Sequence, residues 1–122
     1  MRENKGVNDL MGQALEGVRV IDISNFLAGP ISSMFLGDLG ADVIKVERPG
    51  TGDEIRYWGH NKDGVGLMYK LVNRNKRSVT ADLRTPLGVE IVKALIRDAD
   101  IIVENYRKGC LLYTSPSPRD RG

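Results

Sequence analysis

A β-branched run ends abruptly in charge at VIKVERPG, positions 43 to 50. Glu47 and Arg48 set a carboxylate beside a guanidinium, and Pro49-Gly50 then reverses the chain. A carboxylate closing a second strand is where a dinucleotide-binding domain holds a ribose hydroxyl. A guanidinium instead matches the two-pronged geometry of a phosphate. The dinucleotide reading fails a simple requirement, because NFLAGP, and no G-x-G-x-x-G turn, follows the first strand. Without those glycines the backbone amides cannot approach a pyrophosphate, and Gly50-Thr51-Gly52 follows the wrong strand. Arg48, with the basic group Arg74, Lys76 and Arg77 of NRNKR, points to an anionic ligand. The competing readings are a surface pair of Arg48 with Glu47 or Asp53, and a solvated face for Lys76 and Arg77.

The remaining reactive groups are sparse. His60 is the single histidine and has no second ligand at metal spacing. Tyr57 and Trp58 suit either stacking on a base or packing of a loop. No nucleophile elbow, Cys-His pair or phosphate-cradling Gly-Lys-Ser loop is present. The chain offers a binding surface without a visible catalytic engine.

The elements that must position these groups alternate. VRVIDIS, 18 to 24, reads as a strand, and Pro30 suits the start of a helix running to Leu39. Ile31, Met34, Phe35 and Leu39 share one face of that helix by spacing, and Gly40 is placed to cap it. DVIKVE, 42 to 47, is a second strand, followed by a long glycine-rich loop of a length that is usually functional. A weak helix over 67–75, a strand over 77–83, a helix over 85–97 with Thr85 as cap, and a strand over 100–105 complete the pattern. Short apolar strands alternating with helices predict a parallel sheet in an α/β fold. Ligands bind such sheets beyond the strands' C-terminal ends. Asn25, Arg48, Arg84 and Asn105 all lie at or just past those ends.

Composition sets the outer bounds. A chain of 122 residues holds one domain at most. A net charge of +2 gives no case for nucleic acid or a membrane surface as partner. No apolar run is long enough to span a bilayer, and no signal-type segment opens the sequence, so a cytoplasmic protein is expected.

GVRVIDISNFLAGP, FLGDLGADVIKVERPGTGD, NRNKRSVTADLRTPLG and ADIIVENYRKG together resemble the N-terminal quarter of the class III CoA-transferases, the carnitine and bile-acid (CaiB/BaiF) family. The resemblance covers residues 16–109 in order. It implies a partial Rossmann-like parallel sheet, the N-terminal part of a large domain, and an interlocked homodimer. It implies transfer of coenzyme A between an acyl-CoA and a carboxylic acid, with no metal. In that family an Asp attacks the thioester to give an acyl-aspartyl anhydride, on which CoA thiolate re-forms a thioester. Carried over, Arg48 contacts the nucleotide's phosphate or adenine end and Ala28 offers backbone near the thioester. Asn105 and Tyr106 line the CoA channel, Leu83 and Arg84 flank the adenine, and Asn25 joins them at the strand tips.

Asn25 and Leu27 stand where some members carry histidine and glutamine, which leaves the acyl substrate open. The nucleophilic Asp is expected in a later segment, so Asp22, Asp38, Asp42 and Asp53 are not candidates and the chain alone is expected to be inactive. The scaffold is also similar to that of 2-methylacyl-CoA racemases, which use a His/Asp pair, and a non-catalytic nucleotide-binding module remains a third reading. CLLYTSPSPRD, from Cys110 to Asp120, resembles a translated transposase adapter, so 110–122 is expected to be a non-native tail; a natural Pro/Ser-rich tail is the alternative. The lone Cys110 then supports neither a disulfide nor a thiol nucleophile. Residues 1–15 are expected to be a flexible leader. Four strands cut off from a larger sheet are expected to leave an edge and an apolar face open.

Overall fold

Strand residues that alternate between β-branched and charged side chains give this sheet two unlike faces. The computed structural model describes residues 13–105. Tyr106, most of the expected leader and the 110–122 tail lie outside the described residues. The elements are β1 Arg19–Asp22, α1 Ala28–Asp38, β2 Asp42–Glu47, a 3-10 turn Glu54–Tyr57, a small hairpin of β3 Asn61–Lys62 and β4 Val65–Gly66, α2 Leu67–Val72, β5 Lys76–Thr80, α3 Pro86–Arg97 and β6 Ile101–Val103. The main sheet has order β5-β2-β1-β6 with every pair parallel. Strand order therefore reverses between β1 and β6, which makes that gap the switch point of a doubly wound sheet.

One face is apolar. Ile21, Ile23, Ile44, Val46, Ala81 and Val92 form a buried cluster, with Ile91, Leu95 and Ile96 of α3 packed onto it. α3 begins as its sequence predicts, because the Thr85 hydroxyl accepts the Gly88 N–H at 3.0 Å and Pro86 opens the first turn. The other face is apolar only toward the N-terminal ends of the strands, where Val20, Ala41 and Val43 meet Leu36 of α1. Toward the C-terminal ends it turns polar, with Asp22, Ser24, Lys45 and Glu47 all buried.

That polarity corrects the expected helix face. α1 starts two residues earlier than its proline suggests, and it buries Gly29, Pro30, Ser33 and Met34. Phe35 and Leu39 are about half exposed, at 56% and 50%. Small residues at positions 29 and 33 let the start of the helix descend onto the polar strand tips, and Gly37 lies close over Val43, while Phe35 and Leu39 turn outward. A Cβ on Gly29 would lie 2.2 Å from the Ser24 Cβ, so only glycine fits. The helix ends as its sequence predicts. Gly40 adopts φ +105°, and the N–H groups of Gly40 and Ala41 donate to the Gly37 and Leu36 carbonyls.

The third strand is Lys76–Thr80, shorter and earlier than its pattern suggests, and the long loop contains the 3-10 turn and the hairpin. No helix among the described residues is long and apolar enough to cross a membrane. Replacing Gly29 with Ala should destabilise the protein by about 1–3 kcal/mol, the range for overpacking a filled site; the midpoint of denaturant unfolding measures it.

Candidate functional site

The site is built at the C-terminal tips of the parallel strands. β1 ends at Asp22, and the turn that follows carries Asn25 and Phe26 before α1 begins at Ala28. β6 ends at Val103 and delivers Asn105 beside that turn. The Asn25 N–H donates to Asn105 Oδ1 at 3.0 Å, and Asn105 Nδ2 donates to the Asn25 carbonyl at 2.7 Å. This reciprocal pair bridges the switch point. Ala28 is exposed at the first helical position, and Leu27 supplies no side-chain cap there.

On the other side of β1, the tips of β2 and β5 border a polar cleft of about 250 Å³. Arg48, Thr51, Tyr57, Ser78 and Thr80 are among its lining residues. The Arg48 guanidinium is 45% exposed; it lies 3.8 Å from Glu54 and donates through Nε to the Gly52 carbonyl at 3.3 Å. It pairs with neither Glu47 nor Asp53, the two partners that spacing suggests. Its long contact with an exposed carboxylate is a weak one, and a ligand phosphate can replace it.

Glu47 is not available to a ribose. Its Oε2 accepts from Arg56 Nε and from the Asp53 N–H, both at 2.7 Å. Its Oε1 accepts from Arg56 at 2.8 Å and from the Tyr69 hydroxyl at 2.8 Å. Burial pushes the Glu47 carboxyl up, but the donors from Arg56, Asp53 and Tyr69 outweigh it and bring it down to about 2. Burial and the Glu47 charge together push the Tyr69 hydroxyl up. The Arg56 guanidinium also lies 3.9 Å from the centre of the Tyr69 ring. The acid that resembled a ribose ligand instead anchors the long loop.

Deeper still is an ion pair that water does not reach. Lys45 Nζ lies 2.7 Å from Asp53 Oδ2, with side-chain exposures of 1% and 0%. Asp22 forms a second buried pair with Lys76 at 2.9 Å and accepts from the Ser24 and Ser33 hydroxyls. Burial pushes the Asp22 carboxyl up; the Lys45 and Lys76 charges and the two hydroxyls reverse that and leave it below its usual range. Burial lowers Lys76, and the Asp22 charge only partly restores it.

The basic group of NRNKR stands apart from the cleft. Arg74, Lys76 and Arg77 lie where β5 begins, at the opposite end of the sheet, and they engage Asp38, Asp22 and Asp42 respectively. Each is held by a carboxylate. Arg74 and Arg77 stay at that end, while the buried Lys76 side chain runs inward to Asp22 and the Pro30 carbonyl and does not line the cleft. Arg84 is on the tip side, exposed, and held by Asp82 at 3.1 Å. Leu83 is half-buried against the α3 cluster. Phe26 and Trp58 meet with ring centres 5.2 Å apart, joining the β1 turn to the long loop. No group of His, Cys, Asp and Glu able to hold a metal occurs among the described residues.

Sequence reasoning missed the two buried ion pairs. Their signal was present as Asp22 and Ser24, then Lys45 and Glu47, at alternate positions of strands whose other residues are β-branched.

Residues 15–113 match the model of CoA-transferase family III. Succinyl-CoA:glutarate CoA-transferase of Homo sapiens is 52% identical over 98 residues, which cover 80% of this chain and 22% of that protein. Formyl-CoA:oxalate CoA-transferase of Rhodopseudomonas palustris (strain HaA2) is 46% identical over 102 residues, 83% of this chain and 24% of that one. A CAIB/BAIF family protein from Brucella suis superposes with a TM-score of 0.81 at 40% identity, covering 88% of this chain and 30% of that structure. The chain thus spans between 22% and 30% of the length of these proteins.

The depressed Glu47 carboxyl has a measurable consequence. Its contribution to stability is fully present above the ordinary value of 4.5 and is lost as pH falls toward about 2. Stability should therefore decline across that interval, and Glu47→Gln should flatten the decline while lowering stability at neutral pH. Denaturant midpoints measured from neutral to acid pH check both.

Proposed function

Because the chain belongs to CoA-transferase family III, we propose that it is part of an enzyme that moves coenzyme A between an acyl-CoA and a free carboxylic acid, and that its described residues mainly hold CoA. The observation that carries this reading is the gathering of Asn25, Ala28, Arg48 and Asn105 onto one edge of the sheet, next to a polar cleft. Coenzyme A is a polyanionic nucleotide on a long arm that ends in sulfur. The exposed guanidinium of Arg48 suits the nucleotide's phosphate or adenine end. The backbone at Ala28, across the tip of β1, suits the thioester end. Arg84 and Leu83 flank the adenine in this reading, and Asn105 and Tyr106 line the channel between the two ends.

The chemistry is covalent. An aspartate carboxylate attacks the thioester carbonyl, the carbon–sulfur bond breaks, and CoA leaves as thiolate from an acyl-aspartyl anhydride. The thiolate then attacks the aspartyl carbonyl of the anhydride, releasing the donor's acid as carboxylate and leaving CoA on the aspartate. The acceptor carboxylate displaces the thiolate to form a second anhydride. The thiolate attacks its acyl carbonyl, giving the new acyl-CoA and freeing the aspartate. Asp22, Asp38, Asp42 and Asp53 are each paired with a lysine or arginine. That engagement supports a nucleophile elsewhere in the full-length enzyme and no turnover by this chain alone. The relatives' names favour transfer over the racemase-type proton shift. The reading extends to an interlocked homodimer in the cytoplasm, with no part for nucleic acid or membrane. The apolar side chains of Phe35, Leu39, Leu71 and Ile102, each about half exposed, would be covered in that assembly.

The full-length enzyme, incubated with an acyl-CoA and an acceptor acid, should transfer CoA; exchange of the proton beside the thioester without transfer would contradict this. Arg48→Ala should raise KM for the acyl-CoA by an amount worth about 1–3 kcal/mol, the range for a hydrogen bond to a charged group. Steady-state kinetics measures it, and an unchanged KM removes Arg48 from the nucleotide site.

A further inference from the structure

We propose that Lys45 and Asp53 are positioning residues that hold the turn over residues 24–28 in the shape that receives the thioester, so that the tips of β1 and β2 act as one piece; this rests on the CoA-transfer reading above. Neither residue lines the polar cleft. Their placement is nonetheless specific. Lys45 Nζ donates to the Ser24 carbonyl at 2.9 Å as well as to Asp53. Asp53 Oδ1 accepts the Phe26 N–H at 2.8 Å and the Ile55 N–H at 3.1 Å. The pair therefore grips the backbone on both sides of Asn25, once at Ser24 and once at Phe26. The Asp53 N–H in turn donates to Glu47, which fixes the grip to the end of β2 beside Arg48.

Two physical points say that this grip serves more than stability. A buried ion pair can often be replaced by apolar residues of similar volume with little loss, or with gain. Folding alone thus gives weak reason to bury both charges. The held segment is also strained, because Phe26 sits at φ +70°, a region that non-glycine residues avoid. Such a conformation persists only where its surroundings impose it, and the Phe26 N–H is satisfied in that conformation by Asp53. The strained residue lies between Asn25, which bonds to Asn105 across the switch point, and Ala28, which opens α1. A shift of the turn would move both while leaving Arg48 in place.

The test uses the full-length enzyme and two variants, Asp53→Asn and the double apolar replacement Lys45→Met with Asp53→Leu. Both should lower kcat by about tenfold or more, as displaced reacting groups do, while KM for the acyl-CoA changes by less than about threefold. Because it leaves the Phe26 and Ile55 N–H groups and the Ser24 carbonyl without these partners, the double variant should melt below the wild type. Its kcat, measured well below that melting temperature, should still be lowered with KM little changed, which a purely structural role does not produce. Amide hydrogen exchange across 24–28 should accelerate in both variants by about tenfold, with β2 amides unchanged. A kcat within about threefold of wild type in either variant, or unaltered exchange across 24–28, would overturn the proposal. Should neither variant fold, the wild type still decides: its Phe26 amide should exchange as slowly as the β2 amides, and exchange at the rate of exposed loops would overturn the proposal. Absence of CoA transfer by the wild type would overturn the functional reading alone, since the exchange measurement judges the grip on the turn independently.

Discussion

An ammonium and a carboxylate that water cannot reach lie under the strand tips, and the candidate site is assembled around them. Isolating either charge there would cost about 3–5 kcal/mol, so Lys45 and Asp53 must stay in contact at 2.7 Å. That requirement fixes the long loop, because Asp53 belongs to it, and fixes the β1 turn, because Ser24 and Phe26 bond to the pair. Glu47 extends the arrangement outward through the Asp53 amide to Arg56 and Tyr69. A loop that would otherwise be free to move is thereby held against the sheet, with Arg48 at its start.

Parallel pairing explains why this interior is polar on one side only. Asp22 lies opposite Lys45, and Lys45 opposite Ser78, in the register of three adjacent strands. Side chains paired in a parallel sheet point to the same face, so Asp22 and Lys45 lie buried beneath the start of α1 and Ser78 carries the row out to the cleft. Ile21, Ile44 and Val79 fill the opposite face beneath α3. One face supplies the hydrophobic core and the other presents groups that fix the backbone of the β1 turn. Small residues on α1 follow from this division, since a bulky helix could not approach the row.

The alternation of strands and helices was legible, because β-branched runs, Thr85-Pro86 and Gly40 each act locally. The parallel sheet followed from that alternation, and the shared edge for Asn25, Arg48, Arg84 and Asn105 followed from the sheet. What was not legible depended on partners distant in sequence. Spacing put Phe35 and Leu39 on the buried face of α1, but the row beneath the helix demanded Gly29 and Ser33 there. Arg74, Lys76 and Arg77 looked like an anion site until the fold paired each with an aspartate, Arg74 and Arg77 at the far end of the sheet and Lys76 inward with Asp22. Glu47 resembled a ribose ligand because its place at a strand end is local information, whereas Arg56 and Tyr69 reach it only through the folded loop. The family was legible from four motifs in order, and the match over residues 15–113 agrees with it.

The account stands on the strand tips being the edge that meets the nucleotide. Titrating coenzyme A into the isotopically labelled full-length protein, and following amide resonances, tests this most directly. Resonances of Asn25, Ala28, Arg48 to Gly52 and Asn105 should shift, while those of Arg19, Asp42 and Arg77 at the opposite end stay in place, and NAD should reproduce none of it. Shifts confined to the end that carries Arg19 and Arg77, or an equal response to NAD, would contradict it.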